Sequence, residues 1–116
     1  MRVLVCGGRE YRDYDRLKRT MDALDESSSG PIDIVIHGGA RGADTLADRW
    51  ACERGIHVAV VKAQWERYGR SAGPRRNRAM LLLKPDVVLA FPGGPGTADM
   101  DRLAREAKIA VFGPMP

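Results

Sequence analysis

Short apolar runs recur along the chain and are separated by longer amphipathic segments. The runs cover residues 2–6, 32–36, 57–61, 86–91 and 109–112, and each is rich in Val, Ile, Leu or Ala. Apolar runs of this length are typical of strands that are buried on both faces of a parallel sheet. The pattern therefore predicts five strands.

The amphipathic segments between these runs predict four helices. They span residues 13–25, 43–54, 76–83 and 97–107, where apolar side chains recur at helical spacing. Asp13 and Thr97 are expected to cap the first and last of these helices, and Gly55 to end the second. Residues 62–75 contain Gly69, Gly73 and Pro74 and are predicted to be the longest irregular segment.

Regular alternation of strands and helices determines the predicted fold class. It indicates a single α/β Rossmann-like domain over residues 1–116, with a parallel sheet and right-handed crossovers. The doubly wound strand order 3-2-1-4-5, with helices on both faces, is the natural arrangement. Ligands bind such sheets at the carboxyl ends of the strands, near the point where the strand order reverses.

Composition and charge indicate which partners, metal sites and cellular locations are expected for this chain. The net charge of +4 favours anionic partners, although an arginine-rich composition alone produces the same charge. The arginines are spread along the chain, so nucleic-acid binding is the least favoured function. Cys6 and Cys52 lack the spacing of metal ligands, and no metal site is predicted. Neither a signal-peptide pattern nor a membrane-spanning apolar run is found, which predicts a cytoplasmic protein.

Three glycine-bearing loops follow predicted strands and lead into predicted helices. In the proposed strand order they converge on one edge of the sheet, where backbone N–H groups and helix dipoles favour a phosphate. The sequence has neither the P-loop motif nor Gly-x-Gly-x-x-Gly after its first strand, so P-loop enzymes and ordinary dinucleotide dehydrogenases are disfavoured. The loops contain Gly7, Gly8 and Arg9; His37, Gly38, Gly39, Ala40 and Arg41; and Pro92, Gly93, Gly94, Pro95, Gly96 and Thr97.

With a fourth motif, these loops resemble the SLOG superfamily, and within it the small YspA/YpsA-related branch. The fourth motif runs from Ala72 to Asn77 and is followed by Met80. The resemblance covers nearly the whole chain. It implies a nucleotide-type or ADP-ribose-like ligand and no other cofactor, and the known relatives suggest a homodimer. Met80 and Leu83 lie on one predicted helical face, which is either core or the surface of that dimer.

The resemblance to the LOG phosphoribohydrolases of the superfamily implies which two residues a catalytic relative would need. Their N-glycosidic cleavage depends on an arginine that matches Arg76 and on a glutamate whose position is occupied here by Met100. A thioether cannot act as an acid or a base. Asp99 is the neighbouring carboxylate, and either completes a catalytic pair with Arg76 or stabilises the start of its helix.

Several site candidates have two open interpretations. Arg9 and Arg41 bind phosphate or are solvated, and His37 contacts ligand or orders its loop. Asp44 binds a ribose hydroxyl or orders the same loop. Trp65 and Tyr68 stack on a base or pack their segment against the domain. The full predicted phosphate and ligand site consists of Gly7, Gly8, Arg9, His37, Gly38, Gly39, Arg41, Asp44, Arg76, Asn77, Pro92, Gly93, Gly94, Gly96 and Thr97.

Three functions follow, in order of preference. The first is binding of a small phosphorylated ligand of nucleotide type, as a sensor or carrier. The second is hydrolysis of a nucleoside monophosphate through Arg76 and Asp99. The third is nucleic-acid binding. The substitution at Met100 places binding ahead of hydrolysis.

Overall fold

The computed structural model of the protein describes residues 1–113 and contains a five-stranded sheet in which every strand pair is parallel. The strands lie in the order β3-β2-β1-β4-β5, which confirms the predicted topology. The last three residues of the predicted domain lie outside the described part of the chain. The strands are β1 (Arg2–Cys6), β2 (Ile34–His37), β3 (His57–Val60), β4 (Val87–Ala90) and β5 (Ala110–Phe112).

Helices cover both faces of this sheet, as predicted. They are α1 (Tyr14–Asp25), α2 (Ala43–Arg54), α3 (Trp65–Tyr68), α4 (Ala72–Leu81) and α5 (Pro95–Glu106), with a single 3-10 turn at Gly69–Ser71. Within the described residues, no helix is both long and apolar enough to cross a membrane.

Successive strand residues point to opposite faces of the sheet and so divide the core in two. Val3 and Val5 of β1 pack on the face covered by α1 and α2, where Trp50 is the largest buried side chain. Leu4 and Cys6 point to the other face, beneath α4 and α5. Because both faces of the sheet are covered by helices, the strands appear in the sequence as continuous apolar runs.

The segment predicted to be irregular, residues 62–75, is largely helical, so that prediction is wrong. It contains α3, the 3-10 turn and the first turn of α4. Pro74 lies in that first turn. Proline is tolerated there because backbone N–H groups in the first turn make no hydrogen bond within the helix. Gly73 allows the Trp65 ring to approach, since a Cβ there would lie 3.3 Å from the ring. Arg76 consequently lies in the second turn of α4 and does not open the helix.

Most of the predicted helix ends are confirmed, but the cap at Thr97 is wrong. Asp13 caps α1 by accepting the backbone N–H of Arg16 at 3.0 Å, and Gly55 ends α2 in the left-handed conformation. In α5 the cap is Gly94, and Pro95 takes the first helical position, for which its ring is already suited. Thr97 is therefore a buried residue of the first turn. The strand boundaries differ from prediction by at most two residues.

Three loops meet at the backbone of Gly8, at the carboxyl edge of the sheet. Its N–H donates to the carbonyl of Pro92 at 2.8 Å, which joins the loop after β1 to the loop after β4. Its carbonyl accepts the N–H of Ala43, at the start of α2, at 3.2 Å. A Cβ at Gly8 would lie 2.9 Å from the Pro92 carbonyl oxygen and 3.1 Å from Gly93 Cα. The loops are packed too closely to admit any side chain there.

We expect Gly8→Ala to lower the free energy of unfolding by about 1–3 kcal/mol, because backbone atoms must move to admit its methyl group. Gly96→Ala is the matched comparison, since a Cβ at this position in α5 meets no atom within 4 Å. It should leave stability unchanged or raise it by up to about 1 kcal/mol, because Ala has the higher helix propensity. Urea denaturation of both variants tests this pair. Equal stability of the two would contradict the close packing at Gly8.

Candidate functional site

A cleft of about 580 Å³ opens at the carboxyl edge of the sheet, between the ends of β1 and β4. This is the predicted point of reversal in strand order. Many of the predicted site residues line it together: Gly7, Gly8, Arg9, Asp44, Trp65, Arg76, Asn77, Gly94, Gly96, Thr97 and Asp99. An adjoining cavity of about 350 Å³ contains Gly38, Gly39 and Arg41 and shares Arg9, Trp65 and Arg76 with the cleft.

The glycines of the loop after β4 have two different roles. A Cβ at Gly93 would collide with Thr97 Oγ1 and would lie 2.7 Å from the backbone nitrogen of Gly8, so Gly93 is required for loop packing. Gly94 and Gly96 face open space, and no side chain of the described residues caps α5. The first turn of α5 is thus exposed to the cleft, where its backbone N–H groups and dipole favour an anion.

Arg76 and Asn77 connect the glycine loops through side-chain hydrogen bonds. The Arg76 guanidinium donates to the Gly38 carbonyl and to Asn77 Oδ1, each at 3.1 Å. The Asn77 amide donates to the Gly96 carbonyl at 3.2 Å and to Asp99 Oδ2 at 3.0 Å. Asn77 is 3% exposed. The pair therefore fixes the loop after β2 relative to the start of α5.

The charge of Arg76 is only partly compensated. Burial lowers the pKa of its guanidinium, and the charge of Asp44 opposes that shift, but an arginine remains protonated. Among the described residues, no carboxylate lies within ion-pair distance of Arg76 (4.0 Å). A partly buried cation of this kind, facing a cleft, attracts an anionic ligand.

The loop after β2 is held by two side chains whose roles the sequence left open. Asp44 Oδ2 accepts the N–H groups of Gly38 at 3.0 Å and Ala40 at 3.2 Å. His37 Nδ1 accepts the N–H of Gly39 at 2.9 Å, and its Nε2 lies 2.7 Å from Asp48. Both side chains order the loop. His37 does not line the main cleft, whereas Asp44 does.

Of the two aromatic candidates, Trp65 lines the cleft and Tyr68 does not. The Trp65 side chain is 48% exposed, and the Arg9 guanidinium lies 5.8 Å from the centre of its ring. Tyr68 is held between Arg75 and Arg67, at 4.3 and 5.1 Å from its ring centre. Both arginines lie in the segment of residues 62–75 that also contains Tyr68, so these contacts do not pack the segment against the rest of the domain.

Sequence reasoning missed several residues at the cleft and its adjoining cavity, among them Arg70, Lys62 and Cys6. Arg70 lines the cleft from the segment predicted to be irregular, where no periodicity indicated its direction. Lys62 lines the adjoining cavity just after β3. The rule that strand ends carry ligand contacts would have found Lys62. Cys6 also lines the cleft, and burial raises its pKa to about 12, so its thiol is protonated at neutral pH.

Met100 and Met80 both belong to the core. Met100 is fully buried beneath α5, beside Leu4 and Ile36, and is absent from the lining of the cleft. Asp99, one position earlier, does line the cleft. Met80, predicted to lie either in the core or on a dimer surface, is 2% exposed and lies in the core. Leu83 is 39% exposed and lies at the surface. A homodimer remains a prediction, as does the cytoplasmic location.

Comparison with known proteins agrees with this geometry. Residues 1–68 match the profile of the YspA, cpYpsA-related SLOG family. The chain is also similar to the Gene 61 protein of Mycobacterium phage D29, with 43% identity over 99% of the chain and 98% of the phage protein. The chain belongs to the YspA, cpYpsA-related SLOG family. In this SLOG protein the profile covers the loops after β1 and β2, and the similarity to the phage protein extends to α4 and α5.

The buried carboxyl of Asp44 predicts a pH dependence of stability. Desolvation is the largest effect on Asp44 and raises its pKa above the ordinary value, in spite of the two N–H donors. The folded state therefore binds this proton more tightly than the unfolded chain, and the contribution of the protonated group to stability is complete below about pH 4. That contribution is lost as the pH rises through the raised pKa.

Asp44→Asn removes this titration and retains an oxygen that can accept both N–H groups. We expect the unfolding free energy of the wild type, measured relative to this variant, to fall with pH above about 4, by at most about 1.4 kcal/mol per pH unit. Urea denaturation from acidic to neutral pH measures the difference. A difference that increases with pH would show that Asp44 is stabilised in its charged form.

Proposed function

We propose that this SLOG protein binds a nucleotide or nucleotide-derived ligand, as a sensor or carrier, with a phosphate group at the start of α5. The observation that carries the proposal is the position of Arg76. It lines the cleft beside the open first turn of α5 and has no ion-pair partner among the described residues. An anion bound between them would accept hydrogen bonds from both a guanidinium and a helix N-terminus.

The cations around the cleft support a phosphate in that position. Arg9, Arg70 and Arg76 line it, against the carboxylates of Asp44 and Asp99. Asp99 is already engaged, because its oxygens accept hydrogen bonds from Asn77 and Arg102 at 3.0 and 2.9 Å. Asp44 Oδ2 is engaged by the loop after β2. The three arginines outnumber the two carboxylates, and Asp99 is already paired with Arg102, which favours a negatively charged ligand.

The remaining lining suits the nucleoside part of a nucleotide. The half-exposed Trp65 ring forms a wall on which a base can stack, at a typical gain of about 1–3 kcal/mol. Asp44 offers its second carboxylate oxygen to a ribose hydroxyl. The volume of about 580 Å³ lies within the usual range for pockets that hold small organic ligands.

Affinity for adenosine monophosphate, measured by calorimetry, tests the proposal. We expect Gly96→Ala and Arg76→Gln each to weaken binding about tenfold or more, the first by placing a methyl group where the phosphate approaches the helix and the second by removing a charged donor. Arg19→Gln removes one charge from the exposed surface of α1 and should leave the affinity unchanged. Wild-type protein that binds none of adenosine monophosphate, adenosine 3′,5′-bisphosphate and ADP-ribose would overturn the proposal, as would full affinity in Gly96→Ala.

Binding is favoured over hydrolysis because the cleft lacks an uncommitted acid at the position that the LOG enzymes use. Met100 occupies that position and is buried in the core. Asp99 faces the cleft, but its two carboxylate oxygens already accept hydrogen bonds from Asn77 and Arg102. We therefore expect no release of adenine from adenosine monophosphate above the uncatalysed rate, assayed by chromatography. Release that disappears in Arg76→Ala would establish the hydrolase instead.

A further inference from the structure

We propose that the ligand carries a second anionic group, which binds in the adjoining cavity beside the loop after β2. We call this cavity the basic annex, and define it by Arg9, Arg41, Lys62 and Arg76 around Gly39 and Ala40. The inference rests on the proposed function and extends it. It specifies a nucleotide with two separate anionic positions, such as a nucleoside bisphosphate or a dinucleotide, in place of a simple monophosphate.

The charge of the annex is the first observation. Four cationic side chains line a volume of about 350 Å³, and none of the described residues that line it is acidic. Among the described residues, the one ion pair of an annex side chain joins the Arg41 guanidinium to the Glu10 carboxylate at 3.7 Å, and the charge of Asp44 acts on Arg76 from beyond ion-pair distance. Both side chains of the ion pair are about 80% exposed, so solvent screens the pair and it contributes little. The annex therefore retains a positive potential that an anion would neutralise.

Lys62 lies close to the loop beneath the annex. Gly39 has a φ of +71°, and a Cβ there would lie 3.2 Å from Lys62 Cγ and 3.0 Å from Val60 Cγ1. The aliphatic part of Lys62 thus lies close to the backbone of Gly39, while the side chain as a whole is exposed. The absence of a side chain at Gly39 leaves room for Lys62 at the edge of the annex.

Hydrogen bonds within that loop determine which groups can bind the anion. The N–H groups of Gly38 and Ala40 donate to Asp44, and that of Gly39 donates to His37. These three backbone donors are consumed in ordering the loop. An anion beside Gly39 and Ala40 therefore depends on the cationic side chains, unlike the phosphate that we place on the backbone at the start of α5.

The annex is continuous with the cleft, so one molecule can occupy both. Arg9, Ala40, Trp65 and Arg76 line both volumes. Arg76 lies at the boundary and presents its charge to both sides. The cleft alone is large enough for a small organic ligand, so the annex provides space for a further group of the same molecule.

Calorimetry with three probes tests the inference: adenosine monophosphate, adenosine 3′,5′-bisphosphate and ADP-ribose. We expect at least one of the two larger probes to bind the wild type about tenfold more tightly than the monophosphate, as one additional charged contact would provide. The bisphosphate places the second anion on the ribose, and ADP-ribose places it in a diphosphate. Their relative affinities identify which of these ligands fits.

Two lysine variants test whether the tighter binding of the larger probe depends on the annex. Lys62→Gln should weaken the tighter probe about tenfold more than it weakens the monophosphate. Lys108→Gln makes the same chemical change at an exposed position just beyond the carboxyl end of α5, remote from the cleft, and should preserve the ratio of affinities.

The outcomes separate this inference from the proposed function. If the monophosphate binds as tightly as both larger probes, or if Lys62→Gln weakens all three probes equally, the second anion position is wrong and the proposed function stands. If none of the probes binds the wild type, both fail. A larger probe that binds tightly and loses its advantage in Lys62→Gln supports the annex.

Discussion

The hydrogen bonds at Gly8 are the constraint on which the site depends. This one residue links the loops after β1 and β4 to the start of α2, because its N–H donates to Pro92 and its carbonyl accepts from Ala43. Both hydrogen bonds require the loops to lie in direct contact. A Cβ at Gly7, Gly8 or Gly93 would collide with a neighbouring segment, so these positions require glycine. The sheet places these loops at one edge, and this junction fixes their separation. The cleft exists because the same loops then diverge around Gly94 and Gly96, which face open space.

Arg76 depends on that junction. Its hydrogen bonds to the Gly38 carbonyl and to Asn77 hold the guanidinium between two loops whose positions are set elsewhere. Removing an arginine from water is unfavourable unless other groups compensate its charge, and here the compensation comes from a carbonyl and an amide oxygen, with Asp44 more distant. The stabilisation of Arg76 is therefore incomplete in the free protein. A bound anion would complete it, and this is the physical link between the fold and the proposed ligand.

The sequence predicted the topology well because strands that are buried on both faces leave a simple apolar signal. It also identified the converging loops, since glycines follow three predicted strands whose carboxyl ends meet at one edge of a parallel sheet. It failed at residues 62–75, where Gly73 and Pro74 indicated a break but serve a close contact with Trp65 and the first turn of α4. Arg70 was missed because its direction depends on that local structure. Lys62 follows the end of β3, where the rule that strand ends carry ligand contacts would have found it. The sequence could not predict that Gly93 is required for loop packing while Gly94 and Gly96 face open space, because this difference depends on tertiary contacts.

Helix α5 separates the proposed phosphate position from position 100, where the LOG enzymes carry their glutamate. Its first turn faces the cleft through Gly94 and Gly96, while Met100, little more than one turn later, lies in the core with Leu4 and Ile36. A carboxylate at position 100 would be transferred from water into apolar surroundings, which raises its pKa and destabilises the fold unless the neighbouring side chains also change. Restoring the acid of the hydrolases therefore requires a rearranged core as well as one substitution. The first turn of α5 needs no such change, so the phosphate position that we propose is compatible with a core that excludes an acid at position 100.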